Sequence, residues 1–535
     1  MTRFASLRSS AFLLVFAAAC APGAGGGAAS GPTARPPVRA ALEYVPLSEG
    51  LPPIQRVEGP LAIRVVNPGA DAVRPRLDST YIYGTVGTGG AALTINGTPV
   101  PVAPNGAFIA YLPLPASGRW ELSAYKDGQT ATHTVAYRAP APPAATAAPV
   151  AGTGVFAAPR AATVTGGADT LATGADAIYA RPTPTGAYRW FFPRGTRLSL
   201  VERRGSQYRA QLDEGTAAWI DASAVTVADA AAAPAGPVAL GPISVTPAAG
   251  WVDVRIPARR APFLVEPGEG AWTVTLYGVT AQAGGGAQRD AMLTDVTQEA
   301  AGPATARVRL ALARSPWGYK AFYAPNGDLV VRLRRAPAID AANPLRGRRI
   351  VIDPGHPPAG ATGPTGLYEA DANLAISLPL AEKLRAAGAE VILTRTGRQA
   401  PFSTNTSEDL RGRTSLAVSS NADLLVSVHN NAFGEAQNPF RAFHTAVYHF
   451  HPLSLPLAQT LAREIGGVTR IPNRGALHGN LAMVRPTWLP TALTESLFMP
   501  IPEEENALRD PGFLDQLASA HLRGIEAFFR GQAGR

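Results

Sequence analysis

At 535 residues the chain is too long for a single core, and its length predicts three to four domains. Its composition is globular, 46% hydrophobic and 16% charged, and its single cysteine, Cys20, excludes an internal disulfide framework. The formal charge of +9 comes almost wholly from arginine, because Lys126, Lys320 and Lys383 are the only lysines; no Lys/Arg run marks a nucleic-acid site, so the basic surface suits anionic polymers or lipid headgroups.

Residues 1–20 read as an export signal, with Arg3 and Arg8 ahead of the apolar run AFLLVFAAAC, which is too short to span a bilayer. The run ends at Cys20 and resembles a bacterial lipoprotein signal, which implies a lipid anchor on Cys20; ordinary cleavage without a lipid is the alternative. Residues 21–59 are expected to be a flexible tether. From 60 to 138 apolar alternation is cut by Asn96-Gly97, Asn105-Gly106, Ser117-Gly118 and Asp127-Gly128, strong hairpin signals, and the segment is similar to an immunoglobulin-like β-sandwich serving as a spacer. Residues 139–174 read as a Pro/Ala-rich linker. Residues 175–230 resemble a bacterial SH3-like barrel whose aromatics read as core, with a wall-binding platform as the alternative, and 238–340 read as a further all-β module similar to those that target enzymes to the cell wall.

From Arg346 to the end the periods of helix and strand alternate, predicting an α/β domain with a largely parallel sheet. Ile350–Ile352 read as a buried strand that breaks at Asp353-Pro354-Gly355 and leaves His356 just past its end. Glu369 opens a helix with Leu374, Leu378, Ala381 and Leu384 on one apolar face, closed by Gly388. A strand follows at Glu390–Thr394, then a helix at Ser407–Ser420 with Thr406 and Asp409 in capping-box spacing. The run Leu424–Val428 ends in His429. Further strands are expected at Thr445–Phe450, Leu481–Val484 and Ala492–Thr494, and further helices at Leu455–Gly466 and Phe513–Phe529. Two strand ends thus carry histidine and a helix start between them carries a carboxylate, the donor set of a zinc site with one position open. Glu495, at the end of another short run, is the candidate base.

Four pieces in order, VIDPGH with His356, GLYE with Glu369, ADLLVSVHNNA with His429 and LTESLF with Glu495, resemble the zinc-dependent N-acetylmuramoyl-L-alanine amidases over about the last 190 residues. The resemblance implies Zn2+ held by His356, Glu369 and His429, with Glu495 as the catalytic carboxylate. It implies peptidoglycan as substrate and partner, an envelope location, and envelope proteins as possible regulators. Pro357-Pro358 replace the family's glycines after His356, and ESLFMP lacks the glycine that the family tends to carry there. His478 and Asn430 are candidate substrate contacts. Asp353 is a candidate to orient a ligand, Arg395 and Arg413 to buttress loops, and His521 to be structural; His444, His449 and His451 read as rim or surface residues. A wall-binding lipoprotein without catalysis, or a zinc peptidase of other specificity, are the competing readings. The proline-rich joints predict that residues 340–535 fold and work without the rest.

Overall fold

The computed structural model describes residues 40–69, 72–73, 77–138, 154–166, 178–228, 236–282, 290–358, 360–435 and 437–534. The export signal and Cys20 lie outside them. Among the described residues no helix is long and apolar enough to cross a membrane.

The first module packs a three-stranded sheet, built on Ser79–Thr85, against a five-stranded one, with Ile82, Phe108, Leu93 and Trp120 in the shared core. Its hairpins turn where Asn-Gly and Asp-Gly allow it: Asn96 and Gly97 both have positive φ, as do Asp127 and Gly128. The next module is one seven-stranded sheet around Val164, Trp190, Phe192, Leu200 and Ile220. Its strand Gly154–Val164 pairs with Arg197–Arg204 and Val225–Val227, so the expected linker 139–174 is corrected: this part belongs to the sheet. The alanine-rich run APRAATV carries little apolar signal, which is why it read as a joint. Two four-stranded sheets then enclose Val252, Val254, Trp272, Val274 and Leu333.

The C-terminal domain is a six-stranded sheet with helices on both faces. Its elements are β1 (Arg349–Pro354), α1 (Glu369–Ala386), β2 (Glu390–Leu393), α2 (Thr406–Ser419), β3 (Leu424–Asn431), α3 (Pro439–Ala442), β4 (Thr445–His449), α4 (Leu455–Thr469), β5 (Asn473–His478), β6 (Thr491–Phe498), α5 (Pro502–Ala507) and α6 (Pro511–Gln532). The strand order is β2-β1-β3-β6-β4-β5, parallel throughout except where β4 runs against β6. β5 replaces the strand expected at Leu481–Val484, where Ala482–Val484 form a single 3-10 turn.

Two helices differ from the sequence reading. α1 buries Ala381 and Leu384 of the expected face together with Ala372, Asn373, Ile376, Ser377 and Leu380, and exposes Leu378, because its inner stripe starts at Glu369 and includes polar side chains. α2 is capped by Asn405, whose side chain accepts from the N–H groups of Ser407 and Glu408. Asp409 cannot close a capping box, since it turns inward to Arg413.

The modules are not loosely strung. Tyr319 and Thr487 exchange hydrogen bonds, N–H to carbonyl at 2.7 Å and hydroxyl to carbonyl at 2.7 Å. Gly318 is there because a Cβ would sit 2.2 Å from the Trp488 carbonyl oxygen. Trp317 packs on Phe528 and Phe529 of α6 and donates to the Asp423 carbonyl at 2.7 Å, and Arg334 reaches the Ala422 carbonyl at 2.7 Å. The expected tether also docks: Tyr44 and Leu47 donate to Glu503, Ser48 donates to Glu503 at 3.0 Å and to Glu504 at 3.1 Å, and Val57 donates to the Pro104 carbonyl at 3.0 Å. Residues 40–58 form a strap, not a free leader, and the joints carry contacts where the expectation of an independent 340–535 fragment assumed few.

Candidate metal centre

β1, β3 and β6 are neighbours with parallel register, and their carboxyl ends bring His356, His429 and Glu495 to one end of the sheet; His429 and Glu495 are direct cross-strand partners. Gly355 allows β1 to end this close to β3, since a Cβ there would lie 2.2 Å from the His429 ring. His356 follows at φ 58°, a left-handed conformation that a side chain adopts only when its surroundings hold it.

Arg413 supplies that hold. Fully buried on α2, it donates to Asp409 at 2.5 Å, to Asp353 at 2.9 Å, and to the carbonyls of Pro354 at 2.9 Å, His356 at 3.2 Å and Pro357 at 2.8 Å. Asp353 also accepts from Thr394 at 2.5 Å and Ser427 at 2.6 Å. Burial works against its charge, yet Arg413 and the two hydroxyls hold its carboxyl below the usual value. Asp353 therefore acts on the centre through Arg413 and β3. Arg395 braces the same turn, donating to the carbonyls of Pro354 at 2.9 Å, Gly355 at 2.9 Å and Ala370 at 2.6 Å; burial and Arg413 push its guanidinium down to about 10.

Glu369 opens α1 and is buried. Its Oε1 lies 3.2 Å from His356 Nε2 and 3.1 Å from His429 Nδ1, and its Oε2 accepts from the Ala361 N–H at 3.0 Å. The His356 Nδ1 faces the Pro358 carbonyl at 3.2 Å, which turns Nε2 toward the centre. Burial opposes the Glu369 charge, but the two imidazoles outweigh it and hold the carboxyl well below its usual range. In return, His356 is raised: burial would lower it, and Glu369 more than compensates. One donor atom from each of His356, Glu369 and His429 falls within a 4.8 Å span, the only such group among the described residues. Two imidazoles and a carboxylate suit a borderline-soft divalent ion with an open position.

Glu495 stands beside this triad. Its Oε2 is enclosed without a hydrogen-bond partner, and burial, then the charge of Glu369, push its carboxyl well above the usual value. Neighbouring Ser496 and Leu497 are buried, so the departure ESLF is absorbed inside the sheet.

Several candidates fall elsewhere. Asn430 is buried, donating to Asn373 at 3.0 Å and accepting from the Leu497 N–H at 3.3 Å; it ties β3 to α1 and β6 and is corrected from substrate contact to scaffold. His478 ends β5 paired with His449, three residues along β4 from Ala446, which faces Glu495; the reversal of β4 carries His478 to the other end of the sheet. His449 and His451 are buried, not rim residues: His451 Nε2 meets the Arg485 carbonyl at 2.8 Å, and burial pushes its imidazole down to about 4. His521 is enclosed in α6 against Thr494 at 3.1 Å.

Sequence reasoning missed Asn373, which donates to Glu369 at 3.3 Å, and Glu505, whose carboxylate accepts from Thr365 at 2.9 Å and Leu367 at 3.0 Å in the loop before Glu369. Asn373 stands one helical turn after Glu369, a spacing visible in sequence; Glu505 sits in a run of three glutamates that reads as surface.

The sequence profile described as N-acetylmuramoyl-L-alanine amidase matches residues 350–527. A germination-specific N-acetylmuramoyl-L-alanine amidase of Bacillus subtilis (strain 168) is 33% identical over 197 residues, 35% of this chain and 81% of the relative. The amidase LytC of the same organism is 29% identical over 35% of this chain and 37% of its own length. The crystal structure of an N-acetylmuramoyl-L-alanine amidase from Clostridium difficile 630 is 30% identical, covering 34% of this chain and 95% of that one, with a TM-score of 0.31. On the match over residues 350–527 and on a relative 33% identical and covered to 81% of its length, the chain belongs to the N-acetylmuramoyl-L-alanine amidase family.

Proposed function

We propose that His356, Glu369 and His429 hold a zinc ion and that Glu495 is the acid-base group of the reaction. The reaction is that of the family: hydrolysis of the amide bond between N-acetylmuramic acid and L-alanine in peptidoglycan. What carries the assignment of residues is one juxtaposition, three donor atoms within 4.8 Å of one another and a carboxylate with an unpartnered oxygen on the adjoining strand.

Bound there, zinc supplies Lewis-acid chemistry, lowering the pKa of a water and polarising the scissile carbonyl. The chain supplies the rest. Hydrogen bonds from Ala361 and Asn373 fix the Glu369 carboxylate, and the Pro358 carbonyl fixes the His356 ring. Glu495 takes a proton from the attacking water and returns it to the leaving amine nitrogen. Burial, then the charge of Glu369, raise its proton affinity above that of a free carboxylate, which favours holding the proton between the two transfers.

The remaining assignments rest on sequence. Cys20 is proposed as a lipid anchor, supported by the apolar run before it and the glycine-rich stretch after it; intact-mass analysis of membrane fractions tests this, and a soluble, unmodified chain cut elsewhere would sink it. The β-modules are proposed as Ig-like, SH3-like and wall-targeting, on their strand patterns and aromatic spacing, with envelope proteins as candidate regulators.

The central test pairs metal analysis with release of stem peptides from purified peptidoglycan. Glu495→Gln keeps size and polarity but cannot take a proton, so it should retain zinc and lose at least about a hundredfold in turnover. Loss of zinc from that variant would make Glu495 a ligand, and near-normal turnover would remove it from the mechanism.

A further inference from the structure

The two loops that follow the metal-site histidines are both held from outside the C-terminal domain, by the same strand of the first module. After His356 the chain runs through 357–368 to Glu369; after His429 it runs through 432–438 to α3. Strand Ser79–Thr85 lies across both. The Tyr83 hydroxyl donates to the Thr362 carbonyl at 2.9 Å, in the loop before Glu369. The Tyr81 hydroxyl donates to the Phe433 carbonyl at 2.6 Å, and Thr80 to the Glu435 carbonyl at 3.1 Å, in the loop after His429.

These contacts lead inward by short steps. Thr362 adjoins Ala361, whose N–H donates to Glu369 Oε2 at 3.0 Å and whose carbonyl accepts the Glu369 N–H at 2.9 Å. Phe433 carries the Tyr81 ring edge-on at 5.8 Å and stacks on Phe498 at 4.5 Å, at the end of the strand that bears Glu495. Both tyrosines are buried, so these hydroxyls bond in a protected interface where a lost partner leaves a carbonyl unserved. From below, Glu505 fixes Thr365 and Leu367 of the first loop, leaving strand Ser79–Thr85 as the brace on its other side.

We propose that the first module is a support of the metal centre, and that Tyr83 and Tyr81 are positioning residues that set Glu369 and the end of the Glu495 strand through the two loops. The inference deepens the metal-site reading above and rests on it. It changes what the module is for: a spacer could be removed without cost to the chemistry, and this one cannot.

The test uses the full chain and reads zinc affinity by competition with a chromophoric chelator. Tyr81→Phe/Tyr83→Phe removes two hydroxyls and keeps both rings. Partners that touch a metal's ligands typically change affinity by about 10–100-fold; these hydroxyls act one step further out, so the double variant should bind zinc about tenfold more weakly, at the lower end of that range, and regain turnover as zinc is added. Tyr137→Phe is the control, since its hydroxyl bonds the Pro115 carbonyl at 2.5 Å within the same module; it should leave zinc affinity unchanged. An unchanged affinity in the double variant, or an equal loss in the control, overturns the proposal. If the double variant does not fold, Tyr83→Phe alone decides the matter: it should cost about threefold in zinc affinity, and no change would overturn the proposal equally. A zinc-loaded wild type that releases no stem peptide would instead sink the amidase reading, while the affinity comparison still judges the brace.

Discussion

Arg413→Lys is a substitution that keeps the charge and should nonetheless cost the fold and the metal together. The guanidinium makes five hydrogen bonds in fixed directions, two to carboxylates and three to the carbonyls of Pro354, His356 and Pro357. An ammonium has three donors on one atom, so at least two buried acceptors lose their partner at about 1 kcal/mol each. Poorer pairing with Asp353 and Asp409 adds about 1 kcal/mol more, for a total of about 3 kcal/mol. Arg413→Met strands both carboxylates and should reach about 3–5 kcal/mol. Urea unfolding of the full chain reads the loss as a lower midpoint at constant slope. Because His356 sits at φ 58° under Arg413, zinc affinity should fall in the same variant. A Lys variant within about 0.5 kcal/mol of wild type and with full zinc affinity would refute the reasoning, showing that the turn after β1 holds itself.

Glu369→Ala removes one of three proposed ligands, so zinc and turnover should vanish together; metal retained at full occupancy would reassign the site. Burial, with the charge of Glu503 adding to it, raises Glu504 from 4.5 to about 8. Its folded pKa is above the unfolded one, so its contribution to stability is full below about pH 4.5 and lost as pH rises to about 8. Glu504→Gln should therefore gain on wild type by a few kcal/mol, on the order of 1.4 per unit, across that window, and midpoints that run parallel from pH 5 to 8.5 would contradict it. A fragment of residues 340–535 should be poorly soluble, because it bares Phe528, Phe529, Phe433 and Phe498; a monomeric, zinc-binding fragment of wild-type activity would overturn both this and the brace.

The meeting of His356, Glu369 and His429 in the candidate metal centre was legible because each histidine follows an unbroken apolar run, the mark of a strand buried on both faces, and because a strand end has one direction to offer. What failed, failed where polar residues are buried. Asn373 and Ser377 disguised the inner face of α1, and nothing in the run Glu503, Glu504 and Glu505 announces that all three are buried. His449 and His451 looked like rim residues for the same reason, since nothing local in the sequence announces the Arg485 carbonyl that one of them meets. Packing between modules left no trace at all: Tyr81, Tyr83 and Trp317 have the spacing of ordinary strand aromatics, and only the fold reveals that they serve another domain's surface.

The strap has a consequence for the order in which the molecule can assemble. Tyr44 and Ser48 are bound by Glu503 and Glu504, partners more than 450 positions away along the chain. A chain that emerges amino end first must leave Tyr44 to Ser48 without this dock until α5 has been made and β6 has joined the sheet. Closure of the strap is thus a late event in folding. Protection of that segment from a protease is a timestamp for a finished catalytic domain, arriving after the β-modules have their own cores.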